Sequence, residues 1–158
     1  MNLLSFLSLV VFLFCVVLLV YIYVGYPLLI IILAKLIQRP VKRGTILPSV
    51  TVVIPTFNEE VVIGEKIENT LHLDYPPDQL QILVCDDASE DRTVDIVKSY
   101  AWAGVELSQG TARTGKVGGL NRALELATGE IFVIADADIL PSADALREVV
   151  ANFADEAV

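Results

Sequence analysis

The chain reads Ile131-Phe132-Val133-Ile134-Ala135-Asp136-Ala137-Asp138, an apolar run that ends in two acids. The run predicts a buried strand. Because side chains two positions apart on a strand share a face, Asp136 and Asp138 are expected to project together from its C-terminal end. Two carboxylates so placed can hold a hard divalent cation that still has open positions for phosphate oxygens. Acids are also common in solvated loops after strands, and the short Asp-x-Asp pattern alone favours that second interpretation.

Apolar strands alternate with helical patterns upstream and downstream of this run. The patterns predict strands at 50–54, 80–84, 105–107 and 131–135, and helices at 59–71, 91–100, 117–127 and 142–153. Such alternation is typical of the α/β class, in which a mostly parallel sheet is covered on both faces. Ligands of these sheets bind beyond the carboxyl ends of the strands, so the polar residues that follow each strand are the candidates for a site.

Two further polar motifs follow strands or lie near them. Only one of the adjacent acids Asp86 and Asp87 can point into a cleft, where it would accept a hydrogen bond from a nucleotide base; alternatively both acids cap the next helix. Residues 110–116 follow most of the P-loop pattern, but Val117 stands where that pattern needs a hydroxyl for Mg²⁺. Lys116 could still reach a diphosphate as a point charge, or it belongs to a solvated basic loop.

The N-terminal segment has the composition of a membrane anchor. Hydrophobic residues make up 54% of the 158, and no charged side chain precedes Lys35. The apolar run from Leu3 to Ala34 exceeds the roughly 20 residues that a spanning helix needs, with Pro27 expected to kink it. A signal peptide is the alternative, but its basic start and cleavage site are missing. Basic residues directly after the run place the remainder of the chain in the cytoplasm, on the inner side of the cell membrane.

Charge and composition exclude several other classes of protein. All 20 acidic residues lie at or beyond Glu59, so the globular part is acidic and is not expected to bind nucleic acid. The two cysteines, Cys15 and Cys85, make neither a disulfide framework nor a metal site. With His72 as the only histidine, no Ser/His/Asp or Cys/His catalytic set can be assembled.

Five motifs follow one another over most of the chain after Pro48, namely Val52-Val53-Ile54-Pro55-Thr56-Phe57-Asn58-Glu59, Leu73-Asp74-Tyr75-Pro76, Val84-Cys85-Asp86-Asp87-Ala88-Ser89-Glu90-Asp91-Arg92-Thr93, Gly115-Lys116-Val117-Gly118-Gly119-Leu120-Asn121 and Ala135-Asp136-Ala137-Asp138. Together they resemble glycosyltransferase family 2. The apolar segment, with Tyr23-Val24-Gly25-Tyr26-Pro27 near its end, is similar to the membrane-bound, polysaccharide-making branch of that family. This resemblance implies a transmembrane anchor at 1–37, a basic, proline-containing linker at 38–48, and the nucleotide-binding half of a GT-A domain, which is Rossmann-like, at 49–158.

The resemblance also implies an activity and a set of site residues. The activity would be inverting transfer from a nucleotide-diphosphate sugar to a glycan or lipid-linked acceptor, in cell-envelope or exopolysaccharide synthesis. The metal would be Mg²⁺ or Mn²⁺, held by Asp136 and Asp138. The substrate-binding residues would be Pro55, Phe57, Glu59, Asp87, Lys116 and Asp136.

Inversion also needs a base that takes the proton of the acceptor hydroxyl. In the family this base is an acid in the second half of the domain, and no residue up to Val158 matches it. The catalytic base is therefore expected beyond Val158, the chain is expected to be an N-terminal fragment, and the fragment alone is expected to be inactive. The alternative is a non-catalytic, membrane-tethered module that binds nucleotide sugars.

Overall fold

The computed structural model describes residues 2–37, 41–155 and 157. They divide between Val41 and Lys42 into two compact units, an N-terminal helical unit and a globular unit. Three residues of the predicted linker, 38–40, lie outside the described residues. The rest of that linker has no helix or strand, and part of it is bonded to the globular unit: the Gly44 N–H donates to the Ala151 carbonyl at 3.0 Å.

The N-terminal unit is one long helix with a wider turn in its middle. Helix α1 covers Leu3–Val20, a π-helical turn covers Tyr21–Gly25, and helix α2 covers Tyr26–Leu36. Pro27 stands in the first turn of α2, directly after the π turn. Because proline has no N–H and its ring crowds the preceding turn, the widened turn accommodates it without ending the helix. The 34 residues Leu3–Leu36 are long and apolar enough to cross a membrane.

The globular unit alternates strands and helices as the sequence patterns predict. Its elements in chain order are β1 Val50–Thr56, α3 Ile63–Leu71, β2 Leu80–Asp86, α4 Thr93–Ser99, β3 Val105–Gln109, α5 Gly115–Leu126, β4 Ile131–Ile134 and α6 Ala145–Val150. Short 3₁₀ turns occupy Pro77–Gln79, Ala101–Ala103 and Ala151–Ala154.

The four strands form one parallel sheet in the order β3-β2-β1-β4. The chain adds β2 and then β3 on one side of β1 and returns to add β4 on the other side. The strand order therefore reverses between β1 and β4. In open α/β sheets the crevice at this reversal, outside the carboxyl ends of the strands, is where ligands bind. The α/β fold class predicted from the sequence is confirmed.

Both faces of the sheet are covered, as the apolar strands require. On one face Val52 and Ile54 of β1 lie in a cluster with Ile63 and Ile67 of α3. On the other face Val53 lies with Leu83 of β2 and Ala123 of α5. Alternate side chains of β1 therefore pack into two hydrophobic clusters, one on each face of the sheet, and the strand is held rigidly between them.

Two predicted boundaries are wrong. The ladder between β1 and β4 ends at the pair Val53–Ile134, one residue before the predicted end of the strand, although the Ala135 N–H still donates to the Val53 carbonyl at 2.9 Å. The last helix is predicted from residue 142, but α6 begins at Ala145, with Asp144 in the capping position. The Ser142 hydroxyl donates to the Asp144 carboxylate at 2.6 Å instead. The segment between β4 and α6 is therefore longer than the sequence pattern predicts.

Candidate functional site

One cleft of about 380 Å³ opens at the carboxyl edge of the sheet. Its wall is built from the ends of β1 and β2, the start of α5, and the loop after β4. Every residue to which the sequence analysis assigns substrate or metal binding lies on this wall, namely Pro55, Phe57, Glu59, Asp87, Lys116, Asp136 and Asp138. The cleft sits at the point where the strand order reverses, so motifs 80 residues apart converge because of the sheet topology.

The loop after β1 is fixed by hydrogen bonds to the loop after β2. The Asn58 N–H donates to the Ser89 hydroxyl at 2.9 Å, and the Glu90 N–H donates back to the Asn58 side-chain oxygen at 2.9 Å. The Glu59 N–H donates to the Thr93 hydroxyl at 2.8 Å. Asn58 has φ of 55°, a left-handed conformation that asparagine tolerates better than most residues. Phe57 and Glu59 are thereby presented on a stiff loop.

The two adjacent acids at the end of β2 take different roles, as the opposite directions of neighbouring strand residues require. Both carboxylate oxygens of Asp86 accept from the Ser89 N–H, so Asp86 organises the following turn. Asp87 instead lines the cleft and is 5% exposed.

Asp87 is bonded within the chain to the beginning of α5. One oxygen accepts from the Thr114 N–H and the Thr114 hydroxyl, both at 2.8 Å, and the other accepts from the Gly115 N–H at 2.7 Å. These bonds, the Thr114 N–H first among them, hold the pKa of Asp87 below its usual value despite burial of the carboxyl. Asp87 thus acts as the cap of a helix that has no side-chain cap of its own.

Lys116 and Asp136 form an ion pair across the cleft. The Lys116 ammonium lies 2.5 Å from a carboxylate oxygen of Asp136, and both side chains are about half exposed. Lys116 is in the first turn of α5, and the preceding Gly115 has φ of 77°, which glycine adopts without strain. The pair brings a mobile positive charge and a candidate metal ligand to the same point.

Asp136 and Asp138 face the same cleft from the loop after β4, while Ala137 between them is 5% exposed and belongs to the core. Loop conformation rather than strand alternation produces this placement, because β4 has already ended. Among the described residues, no group of three or more His, Cys, Asp or Glu side chains is placed to hold a metal. Two carboxylates at an open cleft fit a Mg²⁺ or Mn²⁺ ion that takes its other oxygen ligands from water and from a phosphate.

One residue in the cleft and one beside it were not identified from the sequence. The guanidinium of Arg113 lies over the Phe57 ring, 3.9 Å from the ring centroid, and both residues line the cleft. Its position in the basic, glycine-flanked stretch 110–116 could have indicated it. Lys66 of α3 is buried next to the loop that carries the acids. Its spacing of three from Ile63 places it on the buried face of the helix, which was the available signal.

Residues 51–158 match the family described as glycosyl transferase family 2. The chain belongs to this family. The resemblance identified from the five motifs is therefore confirmed, and so is the GT-A fold, because solved members of that fold superimpose on this chain.

Among solved structures, the mannosyltransferase PcManGT from Pyrobaculum calidifontis, in complex with GDP-Man and Mn²⁺, has a TM-score of 0.78 and 40% identity. That match covers 90% of this chain and 44% of PcManGT. TarS of Staphylococcus aureus, in complex with UDP-GlcNAc, has a TM-score of 0.59 and 30% identity, covering 65% of this chain and 30% of TarS.

A curated relative is the beta-monoglucosyldiacylglycerol synthase of Trichormus variabilis, which is 36% identical over 116 residues. The match covers 71% of this chain and 25% of that synthase. The chain thus spans about a quarter of the length of this relative.

Proposed function

We propose that this protein is a membrane-anchored glycosyltransferase whose cleft binds a nucleotide-diphosphate sugar with Mg²⁺ or Mn²⁺ and delivers the sugar, with inversion, to a glycan or lipid-linked acceptor. The observation that carries the proposal is the convergence of seven separately predicted residues on one cleft at the carboxyl edge of the sheet. If these residues were scattered over the surface, each short motif would be explained equally well as a strand end or a helix cap.

The donor is proposed to lie with its base near β1 and β2 and its diphosphate near β4. Pro55, Phe57 and Glu59 would form the nucleotide side of the cleft, with the Phe57 ring flanking the base. Asp87 is proposed to contact the base from the same side. Because its oxygens already accept from Thr114 and Gly115, a base N–H would have to share an oxygen that still has a free lone pair. On the opposite side, Lys116 would reach the ribose and diphosphate.

Asp136 and Asp138 are proposed to hold the metal ion. When bound, the ion would neutralise negative charge on the departing diphosphate. The Lys116–Asp136 ion pair can exchange partners as a donor binds, because the lysine then has phosphate oxygens to contact and Asp136 has a cation. The residues of this chain thus keep the charged end of the donor in one orientation. We assign no catalytic base to the described residues.

The comparisons support this assignment in outline. PcManGT is described with GDP-Man and Mn²⁺, and TarS with UDP-GlcNAc, so similar domains bind nucleotide sugars, in one case with a divalent metal. The Trichormus relative is named for a diacylglycerol product, which favours a lipid among the possible acceptors. GDP-Man and UDP-GlcNAc differ in base and in sugar, and the sequence of this chain does not choose between them.

The anchor is proposed to be residues 1–37, followed by a linker at 38–48 and a glycosyltransferase domain at 49–158. Helix Leu3–Leu36 has the length and composition of a spanning segment. The match to PcManGT covers 90% of the chain, whereas residues 42–158 are only about three quarters of it, so the match extends into the apolar segment. Lys35, Arg39, Lys42 and Arg43 directly after the run favour a cytoplasmic globular unit.

A donor-turnover assay tests the proposed function. Membranes from cells that express the protein are incubated with radiolabelled GDP-mannose, UDP-glucose or UDP-GlcNAc, Mn²⁺, and diacylglycerol or glycan acceptors. Because the described residues supply no catalytic base, we expect the chain itself to bind a donor without transferring the sugar. Chelator should abolish this binding, and Asp138→Asn should weaken it at least about tenfold, or 1.4 kcal/mol. Asp78→Asn, the same change at an exposed position away from the cleft, is the control. Donor binding that is the same with and without metal would contradict the proposed site, and acceptor-dependent product would show that a catalytic base lies within residues 1–158.

A further inference from the structure

Lys66 is a lysine inside the protein. It lies on the inner face of α3 together with Ile63, Ile67 and Thr70, and only 1% of its surface is exposed. Lysine is almost never fully buried unless its charge has a partner, because desolvating an ammonium group is costly. Burial accordingly lowers the pKa of Lys66, and the nearby carboxylates of Asp136 and Asp138 oppose that shift. Burial of this ammonium therefore costs stability, and a contact that the ammonium makes must account for the presence of lysine at this buried position.

The ammonium of Lys66 is bonded to the loop that carries the candidate metal ligands. It donates to the Ile139 carbonyl at 2.5 Å, one residue after Asp138. One turn further along α3, the Asn69 side-chain amide donates to the Pro141 carbonyl at 3.2 Å. Both donors belong to one face of one helix and hold alternate carbonyls of the same extended segment.

On this side the loop borders a cavity. A largely apolar cavity of about 250 Å³ lies beside it, lined among others by Lys66, Asp136, Ile139 and Val133. Within the loop, the Ile139 N–H makes only a long bond of 3.3 Å to the Asp136 carbonyl. A segment that borders an open cavity is not packed on that side, and a hydrogen bond to a rigid helix keeps it in place.

We propose that Lys66 is a positioning residue that holds the Asp136–Asp138 loop, through the Ile139 carbonyl, in the conformation that binds the metal and the diphosphate of the donor. The proposal rests on the proposed function of the cleft. Lys66 does not line that cleft and would touch neither donor nor metal; it acts through the loop backbone. A misplacement of a coordinating group by about 1 Å is enough to reduce binding or rate substantially.

The test compares Lys66→Met with the wild type and with Lys98→Met, which removes an exposed lysine of α4. Methionine has a similar length and no donor or charge, and it is compatible with a buried site. The first measurement is hydrogen–deuterium exchange of the peptide that covers residues 135–141. We expect exchange at least about fivefold faster in Lys66→Met, with the β1 and β2 peptides unchanged.

The second measurement is the Mn²⁺-dependent affinity for GDP-mannose and UDP-sugars, with the melting temperature recorded in parallel. We expect affinity to fall about tenfold in Lys66→Met while the melting temperature does not fall, because a buried charge has been removed. Lys66→Arg should stay within about threefold of the wild type, since it keeps a donor and its larger head group can enter the adjoining cavity.

Three results would overturn the proposal. One is unchanged exchange of residues 135–141 in a folded Lys66→Met protein. Another is a lower melting temperature with unchanged donor affinity, which would make Lys66 merely structural. The third is tighter Mn²⁺ binding in Lys66→Met, which would make it a repelling charge. If Lys66→Met does not fold, Lys66→Gln replaces it. The glutamine side chain is one bond shorter than lysine, so its amide nitrogen does not reach the Ile139 carbonyl as the lysine ammonium does. Absence of metal-dependent donor binding in the wild type would instead refute the proposed function.

Discussion

Replacing Asp87 by asparagine should destabilise the globular unit by about 2–4 kcal/mol, although the two side chains have nearly the same shape. The Asp87 carboxylate accepts three hydrogen bonds from Thr114 and Gly115 at the start of α5. Asparagine keeps one acceptor, which can still serve Thr114, but its NH₂ group would face the Gly115 N–H. One charge-assisted bond is lost, at about 1.5–3 kcal/mol, and so is the negative charge near the helix N-terminus, at about 0.3–1 kcal/mol.

The same change should alter the dependence of stability on pH. The folded pKa of Asp87 is lowered, chiefly by the Thr114 N–H, so the carboxylate stabilises the fold above its unfolded pKa of about 3.9. This contribution is lost as pH falls through the lowered folded pKa. The difference in unfolding free energy between wild type and Asp87→Asn should therefore be constant from pH 5 to 7 and shrink below about pH 4.

Denaturant unfolding in detergent, followed by far-UV circular dichroism at several pH values, measures this difference. Asp78→Asn is the control, because Asp78 is exposed and, within the described part of the chain, its carboxylate bonds to the neighbouring Gln79 side chain alone. A wild-type-like midpoint for Asp87→Asn at pH 7 would refute the reasoning, since it would mean that the carboxylate does not hold α5. A difference that grows on acidification would contradict the sign of the pKa shift.

Two further outcomes are expected. Lys116→Met should weaken the binding of a nucleotide-diphosphate sugar about fivefold, in a salt-dependent manner, because a positive charge near the diphosphate is lost. Binding of Mn²⁺ alone should not weaken, because the Lys116 ammonium no longer competes with the metal for Asp136. Calorimetry at two salt concentrations measures both affinities, with Lys98→Met as the control. If Leu3–Leu36 anchors the protein, the protein should resist alkaline carbonate extraction from membranes, and a reporter fused after Val158 should be cytoplasmic. Export of the reporter, or cleavage near residue 34, would contradict the proposed anchor.

The sheet and the location of the cleft follow from sequence patterns that are local. Apolar runs of strand length separated by helical spacing predict a parallel sheet, and a parallel sheet gathers the residues that follow its strands at one edge. The placement of Asp136 and Asp138 in one cleft agrees with the prediction, but the reason given for it was wrong. Strand β4 ends at Ile134, the Ala135 N–H makes one more bond to β1, and a turn at Ala137 and Asp138 then brings both carboxylates to the cleft.

The remaining features depend on contacts between residues far apart in sequence. Asp87 is bonded to residues 27 and 28 positions later, and Lys66 to one 73 positions later, so no local pattern indicates either contact. A lysine among helical apolar residues is ordinarily expected at the surface, with its charge in water. The stacking of Arg113 on Phe57 likewise arises from the meeting of two loops.

The most direct test of the proposed site is a calorimetric titration of GDP-mannose and of UDP-sugars into the protein, with Mn²⁺ and with chelator. If Asp136 and Asp138 hold the metal that binds the diphosphate, a donor binds only with Mn²⁺, and Asp138→Asn weakens it by at least about tenfold, roughly 1.4 kcal/mol. Asp78→Asn should bind like the wild type. Equal affinity with and without metal, or an unchanged affinity in Asp138→Asn, would contradict the account.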